Sequence, residues 1–165
     1  MSRVARALVF MLCLGIVGCD AFSNPLQLQD PAAVTWVTRW SQIANDAIAL
    51  DHTPPKTGDD RVWAQNAGPG RSARAMAIVH IAIFEAVNSI AGKFESYLDS
   101  PPAPANTNMK IAVAQAAHDT LVALYSGQTS QMDALLQEDL SSVADGPTKS
   151  NGIALGQQEI GRAHV

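Results

Sequence analysis

Two histidines are the residues of this sequence best placed to do chemistry. His80 lies in the string RSARAMAIVHIAIFEAVNSI, and His118 lies further along in AQAAHDTLVALY. Both strings are rich in alanine and carry their histidine on an apolar helical seam. With Glu85, Asp119 or Glu138 as partners, two such histidines could hold a pair of metal ions inside a helical bundle.

The spacing of the carboxylates argues against that metal centre. Di-metal carboxylate bundles use Glu-x-x-His pairs, whose two side chains reach the same metal from one helix. Here the corresponding strings are Glu-Ala-Val-Asn, ending at Asn88, and Gln-Ala-Ala-His, beginning at Gln115, so each lacks one ligand. We interpret His80 and His118 as core or interhelical hydrogen-bonding residues and expect no metal-binding residue.

Nucleophilic catalysis also lacks its usual residues. There is no Gly-x-Ser-x-Gly sequence, and no cysteine follows Cys19. His118 and Asp119 are adjacent, and neighbouring side chains on a helix diverge by about 100°, so we do not expect an acid–base relay. Arg71 and Arg74 are interpreted as solvated charges at a bundle end. The sequence predicts no catalytic and no cofactor-binding residue in this chain.

The elements that position these residues are helices. Asp30 followed by Pro31 is an N-cap acceptor before a proline at the first helical position, and no period-two strand pattern occurs. The predicted helices cover about residues 31–51, 71–91, 107–125 and 130–145, and a fifth starts near 148. The fold class is therefore all-α, a bundle of about four to five helices.

The apolar seams assign roles to the helices. The second helix is apolar on most of its circumference, as is typical of a helix central to a bundle. Its seam is predicted to be Ala73, Met76, His80, Ile83, Val87 and Ile90. The seam of the third helix is predicted to be Ile111, Ala114, His118, Leu121 and Tyr125. Asp133 is expected to support the first turn of the fourth helix.

The N-terminus predicts export. Arg3 and Arg6 precede an apolar run over residues 7–17, which is shorter than the roughly 20 residues of a membrane-spanning helix. The string Ile-Val-Gly-Cys, ending at Cys19, is similar to the lipobox of bacterial lipoproteins. An ordinary secretory signal is the alternative.

We accordingly expect residues 1–18 to be a lipoprotein signal peptide and residues 19–29 a polar tether. A lipidated Cys19 would hold the exported protein on a membrane surface, on the periplasmic or extracellular side. Residues 30–158 are expected to be the helical part.

The C-terminal string is predicted to have another origin. EIGRAHV, residues 159–165, matches the translation of a common sequencing-adapter oligonucleotide. We expect the natural reading frame to continue beyond about Gln158 and residues 159–165 to be a non-native tail, with a genuine short tail as the alternative.

The charge balance excludes one class of partner. Residues 19–158 carry eight Lys and Arg against fourteen Asp and Glu, a formal net charge of −6. There is no basic cluster and no glycine-rich phosphate loop, so we expect no nucleic-acid partner.

Four strings together resemble one family. VTRWSQIANDAIALDHTPP, RSARAMAIVHIAIFEAVNSI, AAHDTLVALYSGQTSQMDALL and GIALGQQ occur in this order between residues 34 and 158. They resemble the N-terminal half of bacterial vanadium-dependent haloperoxidases, relatives of the type 2 phosphatidic acid phosphatases. The resemblance implies an all-α fold in which a C-terminal bundle binds vanadate or phosphate through Lys, Arg and backbone amides, with a histidine that binds vanadium or attacks phosphorus.

The site motifs of that family, K-x-x-x-x-x-x-R-P, S-G-H and R-x-x-x-H, are absent. The nearest string is Ser126-Gly127-Gln128, which we interpret as a turn. The resemblance therefore implies the front half of a haloperoxidase-like protein, inactive alone, with vanadate bound only in the full-length parent. A phosphatidic acid phosphatase-type parent and a non-enzymatic envelope lipoprotein that binds a partner remain alternatives. Apolar faces left by a missing C-terminal half would also favour homo-oligomers.

Overall fold

The computed structural model describes residues 31–163, with side chains described for residues 34–159. This part of the chain contains five α-helices, one 3-10 turn and no strand, which confirms the all-α prediction. The elements are α1 Pro31–Asp51, α2 Pro69–Ala91, α3 Met109–Leu124, the 3-10 turn Ser126–Gln128, α4 Thr129–Ser141 and α5 Pro147–Ala163. The predicted signal peptide, Cys19 and the tether lie outside the described residues.

Successive helices run in opposite directions, which defines two ends of the bundle. At one end, His52 just after α1 accepts a hydrogen bond from the backbone N–H of Gly68, which precedes α2 (3.0 Å). The end of α3 reaches the same place, because the side-chain amide of Asn66 donates to the backbone oxygen of Leu124 (2.6 Å). We call this the distal end, and it contains the loop of residues 52–68.

The opposite, basal end contains the starts of α1, α3 and α5 and the ends of α2 and α4. Lys110, in the first turn of α3, lies 4.3 Å from the ring centroid of Trp36 on α1. It also donates to Ser142, which follows α4 (2.6 Å). The backbone N–H of Asn108, the N-cap of α3, donates to the backbone oxygen of Thr148 in α5 (3.1 Å). α5 therefore runs from the basal end toward the distal end.

α3 is the central helix and packs against all four others. Eleven of its sixteen residues are buried, and the seam predicted for it is confirmed. The prediction that the second helix is central is wrong. The sequence of α3 does not look fully buried because it contains three polar residues. Gln115, His118 and Thr120 are nevertheless buried, and each forms a hydrogen bond inside the bundle.

α2 lies at one side of the bundle. Its buried apolar face consists of Ala75, Val79, Ala82, Ile83 and Ala86. Of the predicted seam only Ile83 is buried, and Ala73 is exposed. By length and composition alone α2 could cross a membrane, with 39% of its most apolar stretch buried. Such composition is weak evidence for a membrane span, because helices that pack in a bundle core share it.

The helix ends differ slightly from those predicted. α4 stops at Ser141, before the Gly146–Pro147 pair that was expected to end it. α5 continues through the predicted non-native tail to Ala163. In that tail the buried carboxylate of Glu159 accepts a hydrogen bond from the hydroxyl of Ser100 (2.7 Å). The non-native origin of the tail stays a prediction.

α3 and α5 run parallel in unusually close contact. Gly152 of α5 faces Asn108 and Ile111, and Gly156 faces the backbone of α3 at Ala112 and Ala116. A Cβ atom at Gly156 would lie 2.8 Å from the carbonyl oxygen of Ala112 and 2.8 Å from the amide nitrogen of Ala116. Because the distance between packed helices depends on the side chains at the contact, these small residues set the spacing of the bundle.

The Gly156→Ala substitution should therefore destabilise the protein. Alanine favours a helix over glycine by about 1 kcal/mol, but forcing a methyl group into this contact should cost about 1–3 kcal/mol and decide the sign. The matched control is Gly70→Ala, in the first turn of α2, where a Cβ meets nothing within 4 Å. Urea unfolding measures both. A Gly156→Ala variant as stable as Gly70→Ala would contradict the close contact.

Candidate functional site

His118 lies between two carboxylates where α3 meets α4. Its Nδ1 is 2.7 Å from a carboxylate oxygen of Asp119, and its Nε2 is 2.8 Å from a carboxylate oxygen of Asp133 on α4. The side-chain amide of Gln115 also donates to Asp119 (2.7 Å). Since both ring nitrogens face acceptors, both must donate, and the imidazolium form satisfies this arrangement.

The two carboxylates control the charge of the ring. Partial burial lowers the pKa of His118, but the hydrogen bonds to Asp119 and Asp133 and the negative charges of both outweigh it. The pKa of His118 is therefore raised above its ordinary value of 6.5. The cluster therefore favours a protonated His118 between α3 and α4.

Two predictions about this cluster are wrong. His118 and Asp119 were expected to diverge, yet they touch, because Nδ1 is the ring nitrogen nearest the backbone and can meet the short side chain of the next residue. Asp133 was expected to support the start of the fourth helix. α4 begins one residue earlier than predicted, at Thr129, so Asp133 lies beyond its first turn and reaches His118 instead.

The raised pKa of His118 makes stability depend on pH. The protonated ring stabilises the fold fully below the unfolded-state pKa near 6.5, and this contribution is lost as pH rises through the higher folded-state pKa. Asp133→Asn removes one of the two charges that favour the proton. The loss of stability in this variant should be largest near pH 5.5 and should shrink toward pH 9, as measured by urea unfolding at several pH values.

Asp145→Asn is the control for that series. Asp145 is an exposed carboxylate that pairs with Lys149 (2.8 Å), which lowers its pKa. It is ionised throughout the pH range of the experiment, so the effect of this substitution should not vary with pH. A pH-independent effect of Asp133→Asn would contradict the proposed charge on His118.

A second cluster centres on Asp139, which is 4% exposed near the end of α4. Its carboxylate accepts from the indole N–H of the buried Trp40 (3.0 Å) and from Arg39 (3.2 Å). Lys110 of α3 pairs with its other oxygen (3.1 Å). Asp139 thus joins α1, α3 and α4, and its charge is neutralised by two cations.

Removing this carboxylate should be costly. Asp139→Ala leaves the Trp40 N–H buried without its acceptor and separates the two cations from their partner. The expected loss of unfolding free energy is about 3 kcal/mol. Its neighbour Glu138 also pairs with Arg39 (3.0 Å) but is 66% exposed, so Glu138→Ala should cost less than about 1 kcal/mol. Equal losses in thermal or urea unfolding would contradict the role of Asp139.

His80 links two helices. Its Nε2 lies 3.1 Å from the hydroxyl of Ser41 on α1, and its Nδ1 lies 3.0 Å from the backbone oxygen of Met76. This agrees with the interpretation of His80 as an interhelical hydrogen-bonding residue. Glu85 is not brought to it. Over the described residues, no group of three or more His, Cys, Asp or Glu side chains is arranged to hold a metal ion.

Two buried carboxylates were missed in the sequence, and both hold loops. Asp51, at the end of α1, accepts from the backbone N–H groups of Gln65 and Asn66 (2.9 Å each). Glu85, in the second half of α2, accepts from the hydroxyl of Ser96 and from the backbone N–H groups of residues 97 and 98 in the next loop. Each had a signal: an acid at a helix C-terminus opposes the helix dipole, and an acid inside an apolar run needs partners.

The Ser126-Gly127-Gln128 string is a turn, as predicted. It forms the 3-10 turn at the distal end. A Cβ at Gly127 would collide with the backbone of Val62, so glycine lets the loop of residues 52–68 pack closely here. The buried Gln128 side chain donates to the backbone oxygen of Ala47 (2.9 Å). Burial and the charge of Asp51 raise the pKa of the neighbouring Tyr125 to about 12.

A cleft of about 440 Å³ opens at the basal end. It is lined by Trp36, Asn108, Met109, Lys110, Ser142 and Val143. Its one cation, Lys110, is bound to Asp139 and lies against the Trp36 ring. The cleft therefore offers no uncompensated positive charge to an anionic ligand. Arg71 and Arg74 lie exposed at the other end, at the start of α2.

Comparison with family models, with curated proteins and with solved structures found no match for this chain.

Proposed function

We propose that this chain is the scaffold part of an exported haloperoxidase-like protein. The full-length parent would oxidise halide with hydrogen peroxide on bound vanadate. The helices described above support that centre from outside and contain no reaction centre of their own. The resemblance of the four sequence strings to bacterial vanadium-dependent haloperoxidases is the starting point of this proposal.

The main support for this proposal is that the buried polar residues form hydrogen bonds within the bundle. The strings that resemble the family contain Asp51, Glu85, Asn88, His118 and Gln128, all of them buried. Each hydrogen-bonds to a loop, a backbone group or another helix of the bundle. Chemistry would require at least one such group to face a substrate cavity. In this chain they hold helices and loops in place, which is what a scaffold requires.

The described residues do not fit a vanadate site. Vanadate carries negative charge and needs several cationic and N–H donors that converge on it. The cations that converge here, Arg39 and Lys110, meet at Asp139, whose carboxylate occupies the place an anion would take. We therefore assign no step of halide oxidation to these residues.

The gene beyond codon 158 tests the proposal. The reading frame should continue there and encode the three site motifs K-x-x-x-x-x-x-R-P, S-G-H and R-x-x-x-H. The longer protein should oxidise bromide with hydrogen peroxide and vanadate, while the 165-residue chain should not. Replacing the histidine of the third motif with alanine provides the control and should abolish the activity.

Three outcomes would change the assignment. A stop codon directly after Val165 would leave a non-enzymatic envelope lipoprotein as the better account. Phosphate-ester hydrolysis by the longer protein without halide oxidation would assign the parent to the phosphatidic acid phosphatase type. Halide oxidation by the 165-residue chain itself would show that the reaction centre lies within it.

A further inference from the structure

The loop after α2 lies level with the start of α1. The Ser41–His80 contact sets the register of these antiparallel helices near their midpoints. Asn88 lies eight residues beyond His80, so at about 1.5 Å per residue it lies about 12 Å toward the basal end. The first turns of α1 lie at the same level, because they precede Ser41 by a similar number of residues and the two helices are antiparallel. Phe94, which is bonded to Asn88, therefore lies near the end where α1 begins, and residues 96–98, which are bonded to Glu85, lie about one turn nearer the midpoint.

Two buried side chains of α2 hold this loop in one conformation. The Asn88 side chain accepts from the backbone N–H of Phe94 (2.9 Å) and donates to its backbone oxygen (2.8 Å). The fully buried carboxylate of Glu85 accepts from Ser96 (2.7 Å) and from the N–H of Leu98 (3.0 Å). Burying a carboxylate is costly unless several donors satisfy it, so this loop is firmly fixed.

The fixed loop displays two aromatic rings outward. Phe94 is 60% exposed and Tyr97 is 72% exposed, although large aromatic side chains are usually mostly buried. The ring of Phe94 packs at a tilt against the ring of Phe84 (6.3 Å between centroids). Val34, in the first turns of α1, is also 40% exposed. The basal end thus carries exposed apolar side chains on rigid supports.

We infer that the loop of residues 93–98 rests on the interface of a lipid bilayer, with Phe94 and Tyr97 inserted among the headgroups. Aromatic side chains favour this interfacial region, and Lys93 beside them can extend its amine to the headgroups. The inference rests on the proposed acylation of Cys19, which lies only twelve residues before Pro31. That length of chain spans at most about 40 Å, so an acylated Cys19 would keep the start of α1 within about that distance of the membrane.

Other occupants fit less well. A two-fold contact centred on Glu95 of this loop would bring the two copies of that carboxylate together, and like charges repel at such an interface. A segment following α5 would begin at the distal end, away from the loop. The formal net charge of −6 over residues 19–158 also opposes electrostatic binding to anionic lipid. Aromatic insertion into zwitterionic lipid is the mode that remains.

The test compares a fluorescent label at the basal end of the bundle with one at the distal end, in separate variants. Glu95→Cys lies between the two aromatic residues, and Asp60→Cys is a matched exposed acid in the distal loop. After signal removal and acylation of Cys19, the introduced cysteine is the only free thiol. The purified full chain is reconstituted in phosphatidylcholine vesicles that contain a nitroxide-labelled lipid. The label at position 95 should lose most of its fluorescence, and the label at position 60 should keep it.

Loss of the aromatic rings is the second arm. Phe94→Ala together with Tyr97→Ala, in the Glu95→Cys chain, should restore the fluorescence at position 95. Val62→Ala together with Trp63→Ala, two exposed apolar residues of the distal loop, should leave the quenching at position 95 unchanged. Equal quenching at positions 60 and 95 would overturn the inference. Loss of fluorescence at position 95 in the absence of vesicles would also overturn it.

Whether Cys19 is acylated is measured separately. Mass spectrometry of the same preparation reports whether Cys19 is acylated. If it is not, the proposed lipoprotein is wrong, and the labelled chain with Cys13→Ser and Cys19→Ser is added to the same vesicles directly. Quenching at position 95 and not at position 60 would then still support the bilayer contact of the loop. Absence of quenching at both would overturn it.

Discussion

The close contact of α3 with its neighbours is the constraint on which the bundle depends. Gly156 of α5 meets the backbone of Ala112 and Ala116 on α3 so tightly that a single methyl group would collide with it, and Gly152 meets Asn108 and Ile111 in the same way. With α5 this close on one side and α1, α2 and α4 around the rest, α3 has almost no access to solvent. Every polar group on it must then find a partner inside the bundle.

That requirement explains where the charged residues lie. His118 is hydrogen-bonded to Asp119 and Asp133. Asp139 accepts a hydrogen bond from the Trp40 N–H and pairs with two cations. Asp51 and Glu85 do the same for the loops that follow α1 and α2, whose backbone N–H groups have no helical partners. These buried ionic groups fix the relative positions of helices and loops.

The sequence predicted the helices well because apolar periodicity and proline breaks are local signals. It identified the class, the five helices and the buried seam of α3. It misplaced the centre of the bundle, because the burial of Gln115 and Thr120 depends on hydrogen bonds that composition does not show. The partners of His118 were missed for a related reason. Asp133 is fifteen residues away in the chain, and only the packing of α4 on α3 brings it there.

The central claim is that these helices support a vanadate centre that they do not contain. Vanadium-51 NMR tests it most directly, by titrating vanadate with the 165-residue chain and with the longer protein read from the gene. The account predicts that the chain leaves the resonance of free vanadate unchanged, and that the longer protein gives a bound resonance at one vanadate per molecule. A stoichiometric bound resonance with the 165-residue chain would contradict it.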